Sequence, residues 1–197
     1  VLRPTWHFVT PRDIRWMIEL TAPRILSSLA HNDRHLSLDK KIIKRTNDVL
    51  AKALEGGKQL TRNEVRSVLQ KAKIDISDLR FIHLLEHAEL DRIICSGAKV
   101  GNQFTYALFD ERASPKTIDR EEALAELTKR FFTSRGPATI HDFAWWSGLS
   151  VADARTGVQT LKRQFTREII DDREYLFRIP ASFKNQMTLT ASLLPNY

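Results

Sequence analysis

Residues 139–163, TIHDFAWWSGLSVADARTGVQTLKR, decide how the chain is read. Thr139 places a capping hydroxyl before an apolar run, Gly148 supplies a turn, and Ser150 caps a second helix running to about Arg163. Small residues at Ala144 and Ala154 allow the two short helices to cross closely. This is the pattern of a helix-turn-helix, whose second helix lies in a major groove. On that helix Val151, Ala154, Val158 and Leu161 turn inward, so Arg155, Gln159, Lys162 and Arg163 share the outward face. Arginine and lysine bond guanine edges or phosphates, and glutamine pairs with adenine, which suits a groove; a solvated charged face is the plainer reading of the same residues. Asp153 on this helix opposes a tight fit to phosphate.

Working outward, residues 119–134 form a longer helix with Leu124, Leu127, Phe131 and Phe132 apolar, stopped by Gly136-Pro137. Downstream, TREIID (166–171) and EYLFRI (174–179) read as a hairpin across Asp172-Arg173. Its tip, Asp171 to Glu174, is acidic and is expected to add little beside a polyanion. The same order occurs earlier. Ile42, Ile43, Thr46, Val49, Leu50, Ala53 and Leu54 keep helical spacing up to Gly56-Gly57. Thr61-x-x-Glu64 is a capping box opening a short helix with Val65, Val68 and Leu69 inward. After KIDIS (73–77), Ser77 caps a third helix with Leu79, Ile82, Leu85 and Leu90 apolar. RIIC (92–95) and FTYALF (104–109) are strands joined by the basic loop SGAKVGNQ (96–103). Three helices and a hairpin "wing", twice over, is the order of a winged helix. The expected fold class is therefore mainly α with small β-hairpins (α+β), in tandem winged-helix modules linked by ERASPKTI (111–118).

The first stretch, TWHFV (5–9), alternates like a strand, and Thr10-Pro11 then opens a helix. That helix carries Ile14, Met17, Ile18 and Leu20, pauses near Pro23, and resumes through Ile25, Leu26 and Leu29 to the polar stretch His31–His35. Because the chain opens on Val1 and enters this strand at once, it reads as an internal portion of a longer protein.

Of 197 residues, 42 % are hydrophobic and 28 % charged, which excludes a disordered tail or a fibre. Lys+Arg number 31 against 24 Asp+Glu, a net charge of +7 that favours polyanionic partners, duplex DNA first. One cysteine, Cys95, excludes an internal disulfide framework and a thiolate metal cluster and fits a reducing compartment, with the cytoplasm as the expectation. No apolar run approaches the roughly 20 residues of a membrane span. Neither Gly97 nor Gly101 belongs to a GxGxxG and no P-loop is present, so no nucleotide cofactor is expected.

Three strings carry a family resemblance: RPTWHFVTPRDIRW (3–16), HAELDRIICSGAKVGNQFTYALFDER (87–112) and TIHDFAWWSGLSVADAR (139–155). They resemble the bacterial winged-helix family that includes the AlkZ-type and AlkX-type DNA glycosylases, along nearly the whole chain. The resemblance implies three tandem winged helices and a further β-rich part. It makes residues 1–36 a wing strand and linker helices of a preceding module, 37–112 and 113–180 two modules, and 181–197, with its LLPNY end, the start of the β-rich segment. It also implies hydrolysis of N-glycosidic bonds of alkylated or crosslinked bases by a motif of Gln, an apolar residue, then Gln or Asp. The glutamines here, at 59, 70, 103, 159, 164 and 186, never stand two before a Gln or Asp. No catalytic residue is assigned: the motif lies upstream of Val1 in the intact protein, or this member only binds DNA.

Further candidates carry two readings each. Lys99, Asn102 and Gln103, among Gly97 and Gly101, form a flexible donor-rich loop without a carboxylate, suited to phosphate or minor-groove contact or equally an ordinary hairpin turn. Arg80 and His83 are the outward candidates of the first reading helix. Trp145-Trp146 is either a base-stacking platform or core packing, and since adjacent helical residues diverge by about 100° the two split between the core and an inter-module contact. Trp6 and Trp16 read as core. His83-Leu-Leu-Glu86-His87 matches the H-x-x-E-H pattern of zinc peptidases, but no third ligand suggests itself and no metal is expected. His31-x-x-x-His35 is weaker still, and Cys95 between apolar neighbours reads as a buried thiol. Three functions follow: a DNA-gripping part of a glycosylase, a noncatalytic DNA-binding regulator, or a protein-interaction module, with a monomer favoured.

Overall fold

A computed structural model describes residues 7–77, 79–161 and 163–178. The expectations for Trp6, Lys162 and 181–197 lie outside the described residues. The chain runs α1 (Ile14–His35), α2 (Lys40–Leu54), β1 (Gln59–Thr61), α3 (Arg62–Lys71), α4 (Arg80–Leu90), β2 (Ile94–Ser96), β3 (Thr105–Leu108) and α5 (Phe109–Arg112). It continues through α6 (Arg120–Arg135), α7 (Ile140–Ser147), α8 (Val151–Thr160), β4 (Thr166–Ile170) and β5 (Arg173–Phe177). It is mainly α with small antiparallel strand pairs: β1-β3-β2 in one sheet and β4-β5 in the other.

Local chemistry sets most helix ends. The Thr61 hydroxyl accepts from the Glu64 N–H while the Glu64 carboxylate accepts from the Thr61 N–H, which closes the capping box on α3. The same box, Thr139 with Asp142, opens α7, and Asp39 and Asp119 cap α2 and α6. Gly148 ends α7 at φ 71°, a left-handed conformation that costs glycine nothing.

Two apolar cores form around the two helix sets. One gathers Leu50, Leu54, Val65, Leu69, Phe81, Leu84 and Ile94; the other gathers Leu124, Leu127, Phe131, Phe132, Phe143, Val158 and Leu176. α1 joins them. Its Trp16, Met17 and Leu20 enter the second core, whereas Ile18, Ala22, Ile25 and Leu29 pack on Leu90, Cys95, Phe109 and Ala113. The three-stranded sheet is buried on both sides by alternation, with Ile94 in the first core and Cys95 against α1.

Several expectations are corrected. α1 does not pause at Pro23 but runs through it as one helix of 22 residues. The hydrogen bond lost to Pro23, a defect of about 3 kcal/mol, is offset by burial of Leu20, Ile25 and Leu29 on either side, each adding about 1.5–3 kcal/mol, with a smaller gain from Ala22. Residues 7–10 form no strand; the turn into α1 does begin at Thr10, whose carbonyl accepts from Asp13 and Ile14. β1 was not expected. It is three residues long and pairs Gln59 with Ala107 and Thr61 with Thr105, while in the second helix set, among the described residues, the corresponding place holds a single bridge, Ala138 with Leu176. Phe109 begins α5 instead of ending a strand. The turn of the last hairpin is Asp171-Asp172, both at positive φ, one residue before its expected place. α8 ends at Thr160, short of Arg163. The 111–118 link is docked: the Glu111 carboxylate accepts from the Gly56 and Gly57 N–H groups at 2.9 and 2.6 Å, and Ser114 N–H donates to the Pro11 carbonyl.

α4 is rotated relative to its expected setting. Its buried side is Phe81, Leu84, Leu85, His87, Ala88 and Leu90, while Leu79 and Ile82 stand 56 % and 48 % exposed. Phe81, the largest side chain on the helix, draws its own face inward, and the core then follows the 81, 84/85, 88 repeat. Ser77 does not cap the helix by its side chain; its carbonyl accepts from Arg80 N–H in a turn.

Two tests follow. A Cβ on Gly157 would fall 2.2 Å from Thr128 Oγ1 and 3.2 Å from Leu124 Cγ, where α8 crosses α6. Gly157→Ala is expected to lose about 1–3 kcal/mol in urea unfolding despite alanine's higher helix propensity, and Thr128→Ala in the same chain to recover part of that loss. Asp13 accepts from both Arg130 Nη atoms at 2.8 and 3.1 Å, from Thr10 Oγ1 and from Trp16 Nε1. The Arg130 guanidinium, foremost, holds the Asp13 carboxyl below its ordinary 3.8. Its stabilising contribution is full above that ordinary value and disappears as pH falls through the lowered one. Acid titration of unfolding is therefore expected to show Asp13→Asn less stable than the parent at neutral pH, with the gap closing below about pH 3.8.

Candidate nucleic-acid interface

α7 and α8 meet at Gly148, and the buried side of α8 is made of small residues, Ala154, Gly157 and Val158. The opposite side exposes Arg155 and Gln159, and Arg163 is exposed just beyond the helix end. Among the described residues, Arg155 and Arg163 have no carboxylate partner. Asp153 is turned back to cap the helix: its N–H donates to Ser150 Oγ, its carboxylate accepts from that hydroxyl at 2.7 Å, and Arg120 Nη2 pairs with it at 2.7 Å. The anticipated repulsion from Asp153 is thus largely compensated within the protein.

An open cleft of about 720 Å³ separates the start of α7, α8 and the β4-β5 hairpin, lined among others by His141, Arg155, Asp172, Arg173 and Tyr175. Arg155 and Arg173 share this cleft with three acids, of which Asp142 is held in the capping box and Glu174 pairs with Arg167 at 3.0 Å, while Asp172 stands at the hairpin turn.

The β2-β3 loop is a closed hairpin. Val100 and Gln103 exchange backbone hydrogen bonds of 3.0 Å around the tip Gly101-Asn102. Gln59 Oε1 accepts from Ala98 N–H at 2.5 Å, and Thr105 Oγ1 donates to the Ala98 carbonyl at 2.6 Å, fixing the base of the loop to the sheet. Lys99, Asn102 and Gln103 are exposed at the tip, with the Lys99 ammonium 4.6 Å from the centre of the exposed Phe104 ring.

Arg80 and His83 are not presented to solvent. The Arg80 side chain is 12 % exposed; it donates to the carbonyls of Leu36, Ser37 and Asp75 and pairs with the Asp75 carboxylate at 3.3 Å. It ties α4 to the α1-α2 junction. His83, also 12 % exposed, lies 3.7 Å from Glu86, and His87 Nε2 is buried 2.9 Å from Asp33 of α1. The two histidines of the H-x-x-E-H string therefore serve different neighbours, and among the described residues no three His, Cys, Asp or Glu side chains converge as a metal site.

The tryptophan pair divides as the helical step requires. Trp146 packs on Phe131 at 5.1 Å with the Arg135 guanidinium 4.7 Å from its ring centre, whereas Trp145 is 57 % exposed. Trp16 is core, 4 % exposed. Cys95 is buried, and burial pushes its thiol up. Among the described residues no helix is long and apolar enough to cross a membrane.

Sequence reasoning passed over α3, where Arg62 and Arg66 both lie against the Phe81 ring at 4.9 and 4.4 Å. The available signal was their four-residue spacing on a helix whose one acid, Glu64, belongs to the capping box.

Comparison with known proteins gives a family and a fold. The DNA glycosylase AlkZ of Streptomyces sahachiroi superposes with a TM-score of 0.62 at 20 % identity, over 84 % of this chain and 48 % of that one. The chain thus spans about half the length of that protein. No curated protein matches it. The model of the DNA glycosylase AlkZ-like family matches residues 1–197, so the chain belongs to that family.

Proposed function

We propose that this chain is the DNA-gripping part of an AlkZ-like DNA glycosylase acting on alkylated or crosslinked bases. In this reading residues 37–112 and 113–180 are winged-helix modules, and the helix-borne and hairpin-borne cations hold duplex backbone. The observation that carries it is α8: one side is built of small buried residues, and the other offers Arg155, Gln159 and, past its end, Arg163 without internal partners among the described residues. Lys162 belongs to the same group by sequence. Lys99, Asn102 and Gln103 form the second contact, at the tip of the closed β2-β3 loop. Arg80 and His83 are left out because their polar atoms are turned inward.

The division of labour follows from the residues. The chain holds no Gln-apolar-Gln/Asp string, so positioning water at the glycosidic carbon is assigned to a segment outside it. Gripping the duplex on both sides of a lesion supplies the binding energy for extruding a base or reaching it from a groove.

The test is affinity of the 197-residue chain for labelled duplex DNA over a salt series, with undamaged and alkylated duplexes side by side. Each phosphate contact contributes a slope of about −0.9 in log K against log[salt], so Arg155→Ala with Arg163→Ala is expected to flatten the slope by about 1.8. Tighter binding to alkylated duplex separates repair from regulation. Absence of binding at low salt would overturn the reading.

A further inference from the structure

The first helix set carries its own cation row, on α3 and not on the helix expected to read DNA. Arg62 and Arg66, four residues apart, lie on one side of α3 with their Cβ atoms about 6 Å from each other. Both guanidinium groups rest on Phe81, which is 1 % exposed, so the ring is a buried floor and the arginines are its exposed cover. Contact with the ring holds each guanidinium at this surface, and a guanidinium is the group that meets phosphate in a bidentate way. Burial pushes the Tyr106 phenol on β3 up, and the nearby Arg62 guanidinium opposes that shift. Lys99, which sits over Phe104 in the loop that leads into β3, supplies a further cation of the first helix set.

Within α3 the one acid is Glu64, between the two arginines in sequence. The Glu64 carboxylate is held by the Thr61 N–H and hydroxyl, both at 2.7 Å, and Thr61 foremost lowers its pKa. Neither Arg62 nor Arg66 has a carboxylate partner among the described residues. By contrast, α4 opens on the exposed Leu79, carries the exposed Ile82, and has Glu86 and Glu89 among its partly exposed residues, which suits a polyanion poorly.

We infer that Arg62 and Arg66, together with Lys99, form a phosphate-contact edge for duplex DNA, and that the first helix set meets the backbone through α3 and its hairpin instead of placing α4 in a groove. This rests on the DNA-binding reading above and names the surface that reading leaves open.

The experiment is the same salt series on undamaged duplex with four chains: the parent, Arg62→Gln with Arg66→Gln, Arg62→Lys with Arg66→Lys, and Arg155→Ala with Arg163→Ala. Glutamine keeps an amide plane over Phe81 without charge, and lysine keeps the charge; far-UV circular dichroism and thermal melting confirm that each is folded. The glutamine pair is expected to flatten the slope by about 1.8 and the lysine pair to retain it. A glutamine pair with the parent slope, beside an Arg155→Ala, Arg163→Ala chain that loses slope, overturns this edge and leaves DNA binding standing. A parent that shows no salt-dependent binding overturns both.

Discussion

α1 is the constraint on which the rest depends. A helix of 22 residues, about 33 Å long, buries two different stripes in two different places. Trp16, Met17 and Leu20 complete the core of the second helix set, and Ile18, Ala22, Ile25 and Leu29 cover the back of the first set's sheet. Polar pins reinforce each contact: Asp13 with Arg130, Arg15 with Asp110 and the Ser114 carbonyl, Glu19 with Arg92, and Asp33 with His87. Each exposed pair is worth little alone. Together they set the angle at which α1 meets its neighbours. The short link between the helix sets is consequently not what positions them; it is itself fastened to α1.

This arrangement sorts the positive charges. Arg15, Arg80, Arg92, Arg120 and Arg130 are all engaged with carboxylates inside the protein. Arg62, Arg66, Arg155, Arg163 and Lys99 have no such partner among the described residues. The net charge of +7 therefore divides into cations engaged inside the protein and cations without a carboxylate partner among the described residues; the latter include those of α3, the β2-β3 loop and α8, and others such as Lys40, Lys41 and Lys52 on α2. Field at those places, more than total charge, would govern encounter with a polyanion.

What the sequence revealed and what it concealed divide along range. Caps and turns at Thr61, Thr139, Gly148 and Ser150 involve partners three or four residues away, so spacing alone exposes them, and the outward placement of Arg155 and Gln159 follows from the helical repeat. The setting of α4 was illegible because it is decided by Phe81 meeting Arg62 and Arg66 and by His87 meeting Asp33, 54 residues distant. Arg80 looked like a surface cation because the carbonyls that claim it lie 43 and 44 residues earlier. β1 is too short to announce itself; its pairing with Tyr106 and Thr105 makes it a strand. Pro23 signals a break by local rules, and only burial on both sides of it explains the unbroken helix.

The double burial of α1 also imposes an order of events on synthesis. Arg15 meets Asp110 and Ser114 across 95 and 99 residues, and Asp13 meets Arg130 across 117. At about 5–20 residues per second, α1 leaves the ribosome several seconds before the surfaces that cover it exist. The first helix set can assemble its own core in that interval and then cover the stripe of Ile18, Ala22, Ile25 and Leu29, but Trp16, Met17 and Leu20 must wait for the second set. α1 is thus completed in two stages, and its N-terminal stripe is the part of the nascent chain that stays uncovered longest after it is made.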